Sequence, residues 1–538
     1  MRTPEFLKSP TVIVLLLTLI SSWWFGLFTT IPSRWDAVPT YDAVFFIKLA
    51  ENIARYQELG WIAYHEPFFY PLLIALVSLC TGDLFFSAVI ISKVSAVLLP
   101  AAVYLSARSL FTMRVGLCAA FLTLFFPHIR TISGSAQSEA LYVLLITCSV
   151  ALLWKAWRQQ SVLSGVYAGL LFSAAYLTRS EALFILLFQV AFLGIFCRKV
   201  GENRNFVRAG GSVLIAFSIV CAPYVGYLTA HYGSVTVGTK TSGIYFWVRD
   251  KCFHDPDPER TEWGLSPGGE LNLISMKSSD LMAYWRKDLP RSVKVYFENF
   301  VSQLPGRIPN DGAIQHYPQV FPLYLAVPFL AGLVLQYRRR EAFSSVGYLL
   351  SAFLLLFIYP LLTGGWWRYL VNLLPFFLIL AAKSFDTLSA EYLSENKARG
   401  LLVIAVTVVS LYHVWIVSWQ PPPQKVVTYT NEKASVSEEI KKAGAWVRSM
   451  IPTDATYMAQ WTRLPYYLQG RWIAMPDADF GDVLRYAIRN RTEYMLIESG
   501  DAGGVARLAN AGIPGISCVG TYSSAVVNYN CTLLRLSR

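Results

Sequence analysis

The chain has 538 residues, of which 54% are hydrophobic and only 15% charged, and its mean hydropathy is +0.42. That balance speaks against a soluble globular enzyme, because the repeated apolar runs near twenty residues are each long enough to cross a bilayer and mark a polytopic α-helical membrane protein. The net charge of +12 does not point to nucleic acid either, since the lysines and arginines collect in short loops between apolar runs, the pattern that orients a membrane protein.

Met1 to Lys8 and the apolar run Thr11 to Leu27 have the outline of a signal peptide. The run is long, lacks a small-residue cleavage site and continues through Trp23-Trp24, so it reads as a retained first span. The loop that follows opens with Trp35-Asp36-Ala37-Val38-Pro39-Thr40-Tyr41-Asp42. A helix is expected over 42–58, with Phe46, Leu49, Ala50 and Ile53 on one face and Lys48, Glu51, Asn52, Arg55 and Glu58 around the other. Residues 68–82 are apolar but short and interrupted by Pro71. An odd number of crossings must separate this external loop from Arg108 inside, and 84–107 supplies one, which makes 68–82 an interfacial or re-entrant helix. Two such elements would hold Asp42 at the level of the lipid headgroups.

Arg108 and Arg114, Lys155 and Arg158, Arg198-Lys199 with Arg204 and Arg208, Arg338-Arg339-Arg340, and Lys397 with Arg399 punctuate the apolar runs and belong on the cytoplasmic side. Spans are expected near 11–29, 84–107, 115–129, 138–154, 163–178, 182–197, 211–230, 318–336, 344–362, 369–385 and 400–418, about eleven in all. Residues 1–418 are thus read as one transmembrane domain with external loops at 30–83 and 231–317.

After Gln420-Pro421-Pro422-Pro423, residues 419–538 read as a small external α/β domain. Its expected elements are a helix from Val436 to Met450, a strand at Thr456 to Ala459, a helix from Gly481 to Asn490 and a strand at Glu493 to Ile497. Cys518 and Cys531, on expected neighbouring strands in an oxidising compartment, are candidates for a disulfide. No CxxC or HExxH pattern supports zinc, and a divalent metal is left open.

Tyr41-Asp42-Ala43-Val44-Phe45-Phe46-Ile47-Lys48-Leu49-Ala50 and Glu66-Pro67-Phe68-Phe69-Tyr70-Pro71-Leu72-Leu73 resemble the first external loop of the GT-C glycosyltransferases in the protein-O-mannosyltransferase and aminoarabinose-transferase superfamily. Such loops carry an Asp-Glu pair, a helix and a His-Pro-Pro-hydrophobic-Tyr segment. Ser138-Glu139-Ala140-Leu141 is similar to the acidic residue that opens a later span in this family, and Leu177-Thr178-Arg179-Ser180-Glu181-Ala182 also matches. Gly364-Gly365-Trp366-Trp367-Arg368-Tyr369 before Leu373-Leu374-Pro375 resembles its late Arg-Tyr segment. Two departures stand out: Ala43 replaces the acidic partner, and Glu66 with Phe68 stands where His and the second Pro are usual. Trp366-Trp367 is followed by Arg368 rather than Asp, which argues against an oligosaccharyltransferase.

The resemblance implies transfer of a monosaccharide from a polyprenyl-phosphate carrier to a glycan, lipid or protein acceptor, on the periplasmic side of a bacterial inner membrane. Membrane lipids are the other partners, and nucleic acid is not one. A single carboxylate, Asp42, suffices as base, because the departing lipid phosphate needs cations more than a general acid. A hydrolase would more often present paired carboxylates. Cations near the outer surface would stabilise the phosphate charge, and Arg130, Arg179, Lys240, Arg249 and Arg368 are the candidates. Glu66, Tyr70, Glu139 and Tyr369 complete the expected substrate-binding set.

Each has a plainer alternative. Asp42 is also placed where an acid favours a helix N-terminus, and Asp36 competes as the base. Glu139 and Arg179 sit at span ends, where a structural ion pair is the alternative, and Arg368 has the position of an interfacial anchor. His254-Asp255-Pro256-Asp257 and Asp477-Ala478-Asp479 contain Asp-x-Asp but read as turns, and His128 reads as an interfacial histidine. A transporter or flippase for a lipid-linked saccharide is the second functional class, although no repeat is visible. A non-catalytic receptor is the third.

Overall fold

The computed structural model describes residues 9–31, 35, 37, 40–257, 260–276, 278–303, 320–338, 345–362, 367–418, 434–498 and 515–537. Asp36, Arg339-Arg340, Gly364-Gly365-Trp366 and Gln420-Pro421-Pro422-Pro423 lie outside the described residues. The chain divides into two compact units. One comprises Met1–Thr30, Val89–Ala230 and Pro290–Pro423; the other comprises Ile31–Ala88, His231–Leu289 and Gln424–Arg538.

Seven described helices are long and apolar enough to cross a membrane: Leu84–Leu110, Glu139–Arg158, Ala182–Val200, Asn203–Tyr232, Ser345–Leu362, Arg368–Tyr392 and Gly400–Val417. The pair Met113–Phe125 and Pro127–Ser133, bent by 58°, makes an eighth if it is one span. The bend falls at Pro127, which cannot donate to the preceding turn. Apolar helices also stand at the other three expected spans. Pro10–Trp24 and Val162–Tyr176 have 15 residues each and Leu323–Arg338 has 16, short of the roughly 17 that an upright crossing needs.

In the first unit, small residues let helices touch. A Cβ on Gly165 would sit 1.9 Å from the Ser212 hydroxyl, and one on Gly169 would sit 2.6 Å from the Val213 carbonyl oxygen and 2.7 Å from Ala216. This spacing of small residues four apart is what close backbone approach requires in lipid, where apolar burial gives little drive to associate.

In the second unit the C-terminal residues form a five-stranded sheet in the order β2-β1-β3-β5-β4, with β1 Thr456–Ala459, β2 Arg471–Ala474, β3 Tyr494–Glu498, β4 Ile516–Ser523 and β5 Asn530–Leu536. β1 pairs in parallel with β2 and β3, while β5 runs antiparallel to both β3 and β4. Helices Ala434–Met450 and Phe480–Arg489 lie where expected. The core of this unit is built from three stretches of chain. Met458, Met495 and Leu534 of the sheet pack with Leu271, Leu273 and Ile274, and Trp61 and Tyr64 close over them. The Trp61 indole donates to the Trp472 carbonyl at 2.9 Å, the Tyr467 hydroxyl to the Ala37 carbonyl at 2.8 Å and the Asp477 amide to the Trp263 carbonyl at 2.8 Å. Residues 31–88 and 231–289, the greater part of the two loops read as external, therefore belong to the same unit as the C-terminal sheet.

That packing corrects the first-loop helix. It runs over Tyr41–Glu51 with a wider turn at Asn52–Tyr56, but Lys48 and Glu51, expected on a polar outer face, are fully buried. Lys48 Nζ donates to Glu51 Oε2 at 2.7 Å, to the Leu468 carbonyl at 3.2 Å and to the Gly470 carbonyl at 3.0 Å. A buried ammonium is tolerable only when its charge and its protons are matched in this way. Arg55 remains at the surface. The apolar segment 68–82 is indeed a short helix, Phe69–Thr81.

The expected disulfide is absent: Cys518 and Cys531 are both free thiols, the first exposed and the second buried. They are on neighbouring strands, but the register sets Cys518 opposite Leu534 and Cys531 opposite Tyr522. A separation of several residues along a ladder exceeds the reach of a disulfide.

Candidate active site

The acidic cluster is assembled wholly within the second unit. Thr40 caps the helix Tyr41–Glu51, its hydroxyl accepting from the Ala43 amide at 3.3 Å, which sets Asp42 in the first turn. The N-terminal dipole favours the ionised carboxylate there. The turn Trp61–Tyr64 then delivers His65 and Glu66, both buried. Lys240, just ahead of the helix Thr241–Trp247, places its Nζ 2.8 Å from Glu66 Oε1, and His65 Nε2 is 3.8 Å from the same oxygen. A Cβ on Gly243 would lie 3.4 Å from His65 Cε1 and 3.6 Å from Glu262 Oε1, so these two groups border one glycine. The Tyr41 hydroxyl feels the charges of Glu262, Asp42 and Glu66 together. Three carboxylates and one lysine thus converge from three segments of chain.

The electrostatics divide these groups by role. Burial, reinforced by the Lys240 charge and opposed by Asp42, pushes the His65 imidazole down to about 3. It is therefore neutral near pH 7 and acts as a hydrogen-bonding group rather than a cation. Burial and then the neighbouring Asp250 carboxylate push Glu262 up to about 7.

The other expected residues of this unit are not in the cluster. Tyr70 is buried against Phe46 with its hydroxyl donating to the Ala88 carbonyl at 3.1 Å. Arg249 is held by Asp250 at 2.5 Å and by the Arg260 carbonyl at 2.8 Å, over the Phe246 ring. His254 has a positive φ of 49° and Asp255 accepts from the Tyr284 hydroxyl at 2.9 Å, while Asp477 accepts from Thr261 at 3.2 Å. Both Asp-x-Asp segments are thus tied into the fold by side-chain hydrogen bonds. Among the described residues no group of three His, Cys, Asp or Glu side chains has an arrangement that could hold a metal ion.

A second cluster lies within the first unit. Glu139 opens the helix Glu139–Arg158 and is fully buried. Its Oε1 accepts from Arg179 Nη1 at 2.9 Å and from Arg368 Nε at 2.8 Å, and also from Arg368 Nη2. Arg179 Nη2 in turn donates to Glu181 Oε1 at 3.0 Å. Two arginines are matched by two glutamates, and the Tyr369 ring stands 5.2 Å from the Arg179 guanidinium. Arg130 is elsewhere, 4.8 Å over the Trp24 ring, and His128 is buried beside Phe126.

Sequence reasoning missed His65, Glu181 and Glu262. His65 adjoins Glu66 at the position where a histidine was sought, and Glu181 lies two residues from Arg179, so both had a local signal. Glu262 had none, because only packing of the 231–289 segment brings it to the cluster.

Residues 65–223 match a family model described as dolichyl-phosphate-mannose-protein mannosyltransferase. No curated protein matches the chain. Among solved structures, ArnT from Cupriavidus metallidurans bound to undecaprenyl phosphate is 12% identical with a TM-score of 0.57, the match covering 97% of each chain. An Archaeoglobus fulgidus oligosaccharyltransferase tethered to an acceptor peptide is 14% identical with a TM-score of 0.57, over 91% of this chain and 69% of that one. The oligosaccharyltransferase AglB from the same organism, in complex with an inhibitory peptide and a dolichol-phosphate, is 13% identical with a TM-score of 0.53, over 90% and 69%. The chain has the GT-C fold of these proteins and is a multi-pass membrane protein.

Proposed function

We propose that this multi-pass protein of the GT-C fold is a glycosyltransferase that moves a monosaccharide from a polyprenyl-phosphate carrier to a glycan, lipid or protein acceptor, with inversion at the anomeric carbon. The observation that carries the reading is the cluster of Asp42, Glu66 and Lys240 in a chain of this fold. Asp42 takes the proton from the acceptor as its oxygen forms a bond to the anomeric carbon. The bond from that carbon to the phosphate oxygen breaks, and its electron pair leaves with the lipid phosphate. Lys240, 2.8 Å from Glu66 and partly exposed, offers an ammonium for the growing phosphate charge. Glu66 orients Lys240 and binds sugar hydroxyls. Arg179 and Arg368, also expected at the substrate, are engaged by Glu139 within the first unit, with Tyr369 beside Arg179. The basic loops between the spans support an orientation in which the acidic cluster faces the periplasm, and the resemblance favours a bacterial inner membrane.

The test uses purified full-length protein and the polyprenyl-phosphate-linked sugars extracted from the producing cells. Wild type releases free polyprenyl phosphate in step with acceptor glycosylation, and Asp42→Asn slows release by about a thousandfold, within the range for loss of a general base. A flippase would release none, and undiminished transfer by Asp42→Asn would remove Asp42 as the base.

A further inference from the structure

Ala43, where the resemblance leads one to expect a second acid, is buried and packs into the core. The site nevertheless contains another carboxyl from a distant part of the chain. Glu262 Oε1 borders the same glycine, Gly243, as the imidazole of His65, and its charge reaches the Tyr41 hydroxyl together with those of Asp42 and Glu66. We propose that Glu262 is a substrate-contacting residue that supplies the second carboxyl of the site and hydrogen-bonds to a hydroxyl of the sugar or of the acceptor. This rests on the reading of Asp42 as base.

The division of labour follows from charge. Glu66 has Lys240 at 2.8 Å as its counter-ion, and His65 is neutral near pH 7. Burial, and after it the nearby Asp250 carboxylate, disfavour the ionised form of Glu262. The neutral carboxyl presents an O–H donor. A site with one ionised acceptor and one neutral donor suits a polyhydroxylated substrate, each of whose hydroxyls can both give and take a hydrogen bond. Gly243 keeps the space between His65 and Glu262 clear of a side chain.

The protonation of Glu262 gives the test its direction. The donor is present below about pH 7 and is lost as pH rises through that value, while His65, near 3, does not titrate in this range. Initial rates of polyprenyl-phosphate release are measured from pH 6 to 8.5 for wild type, Glu262→Gln, Glu262→Ala and Asp42→Asn, with melting temperatures alongside. Wild type declines with a midpoint near 7. Glu262→Gln, whose amide is a donor at every pH, is slower by about tenfold but has lost that decline, and Glu262→Ala is slower by about a hundredfold at pH 6. A raised KM for the lipid-linked donor places the contact on the sugar, and a raised KM for the acceptor places it there. The proposal is overturned if Glu262→Ala keeps the wild-type rate and both KM values, or if Glu262→Gln keeps the wild-type alkaline decline. Should Glu262→Ala fail to fold, the Glu262→Gln profile decides. Full activity of Asp42→Asn would instead overturn the reading of the base, whatever Glu262 does.

Discussion

Glu139 in one unit and Asp42 in the other are both acids at the start of a helix, yet their surroundings differ. Glu139 is fully buried and bound by two guanidinium groups, which are themselves balanced by Glu181. Asp42 is only partly buried and belongs to a group in which three carboxylates converge with a single lysine. Matched charges hold a structure together, whereas an excess of one sign keeps groups poised to exchange protons or bind a ligand. The same change, carboxylate to amide, should therefore damage the two sites in opposite ways.

The largest effect is the thousandfold loss of transfer in Asp42→Asn, with a melting temperature equal to that of wild type. Glu139→Gln breaks the comparison from the other side. It leaves two buried guanidinium groups without their shared carboxylate, a loss of about 3–5 kcal/mol, read as a lowered melting temperature and reduced yield of folded protein in detergent. Unchanged stability would mean that Glu139 is held for chemistry instead. Lys48→Met comes next. It removes the ammonium that lies 2.7 Å from the buried Glu51 carboxylate, and with it two hydrogen bonds to the carbonyls of Leu468 and Gly470, at a cost of about 1–3 kcal/mol, and hydrogen exchange over Tyr41–Glu51 should quicken. The smallest effect concerns cross-linking in the unit that carries Asp42. With all eight cysteines free, a thiol reagent should titrate eight groups in the unreduced, unfolded protein, and reductant should leave the melting temperature unchanged.

Apolar helices were legible wherever a long hydrophobic run occurred, since in lipid a helix is the only open-ended way to satisfy the backbone. Their exact number was not, because Pro10–Trp24, Val162–Tyr176 and Leu323–Arg338 are short. The helix carrying Asp42 was legible from its periodicity, but the buried state of Lys48 was not, because the groups that match its charge and protons include carbonyls more than 400 residues away. β1 and β3 were foreseen from their apolar runs. β4 is largely exposed and lacks such a run, and without the register of β4 and β5 the cysteine pair looked joinable.

By itself the sequence determined the membrane class and the helical runs, and it singled out Glu139 and Arg179 as ionisable groups costly at span ends, since hydropathy and local motifs are properties of neighbouring residues. Only the tertiary structure decided which charges meet. Coulombic pairing acts through space: it joined Glu139 to Arg368 across 229 residues of chain and set Lys240 on Glu66, while packing of the 231–289 segment brought Glu262 beside His65.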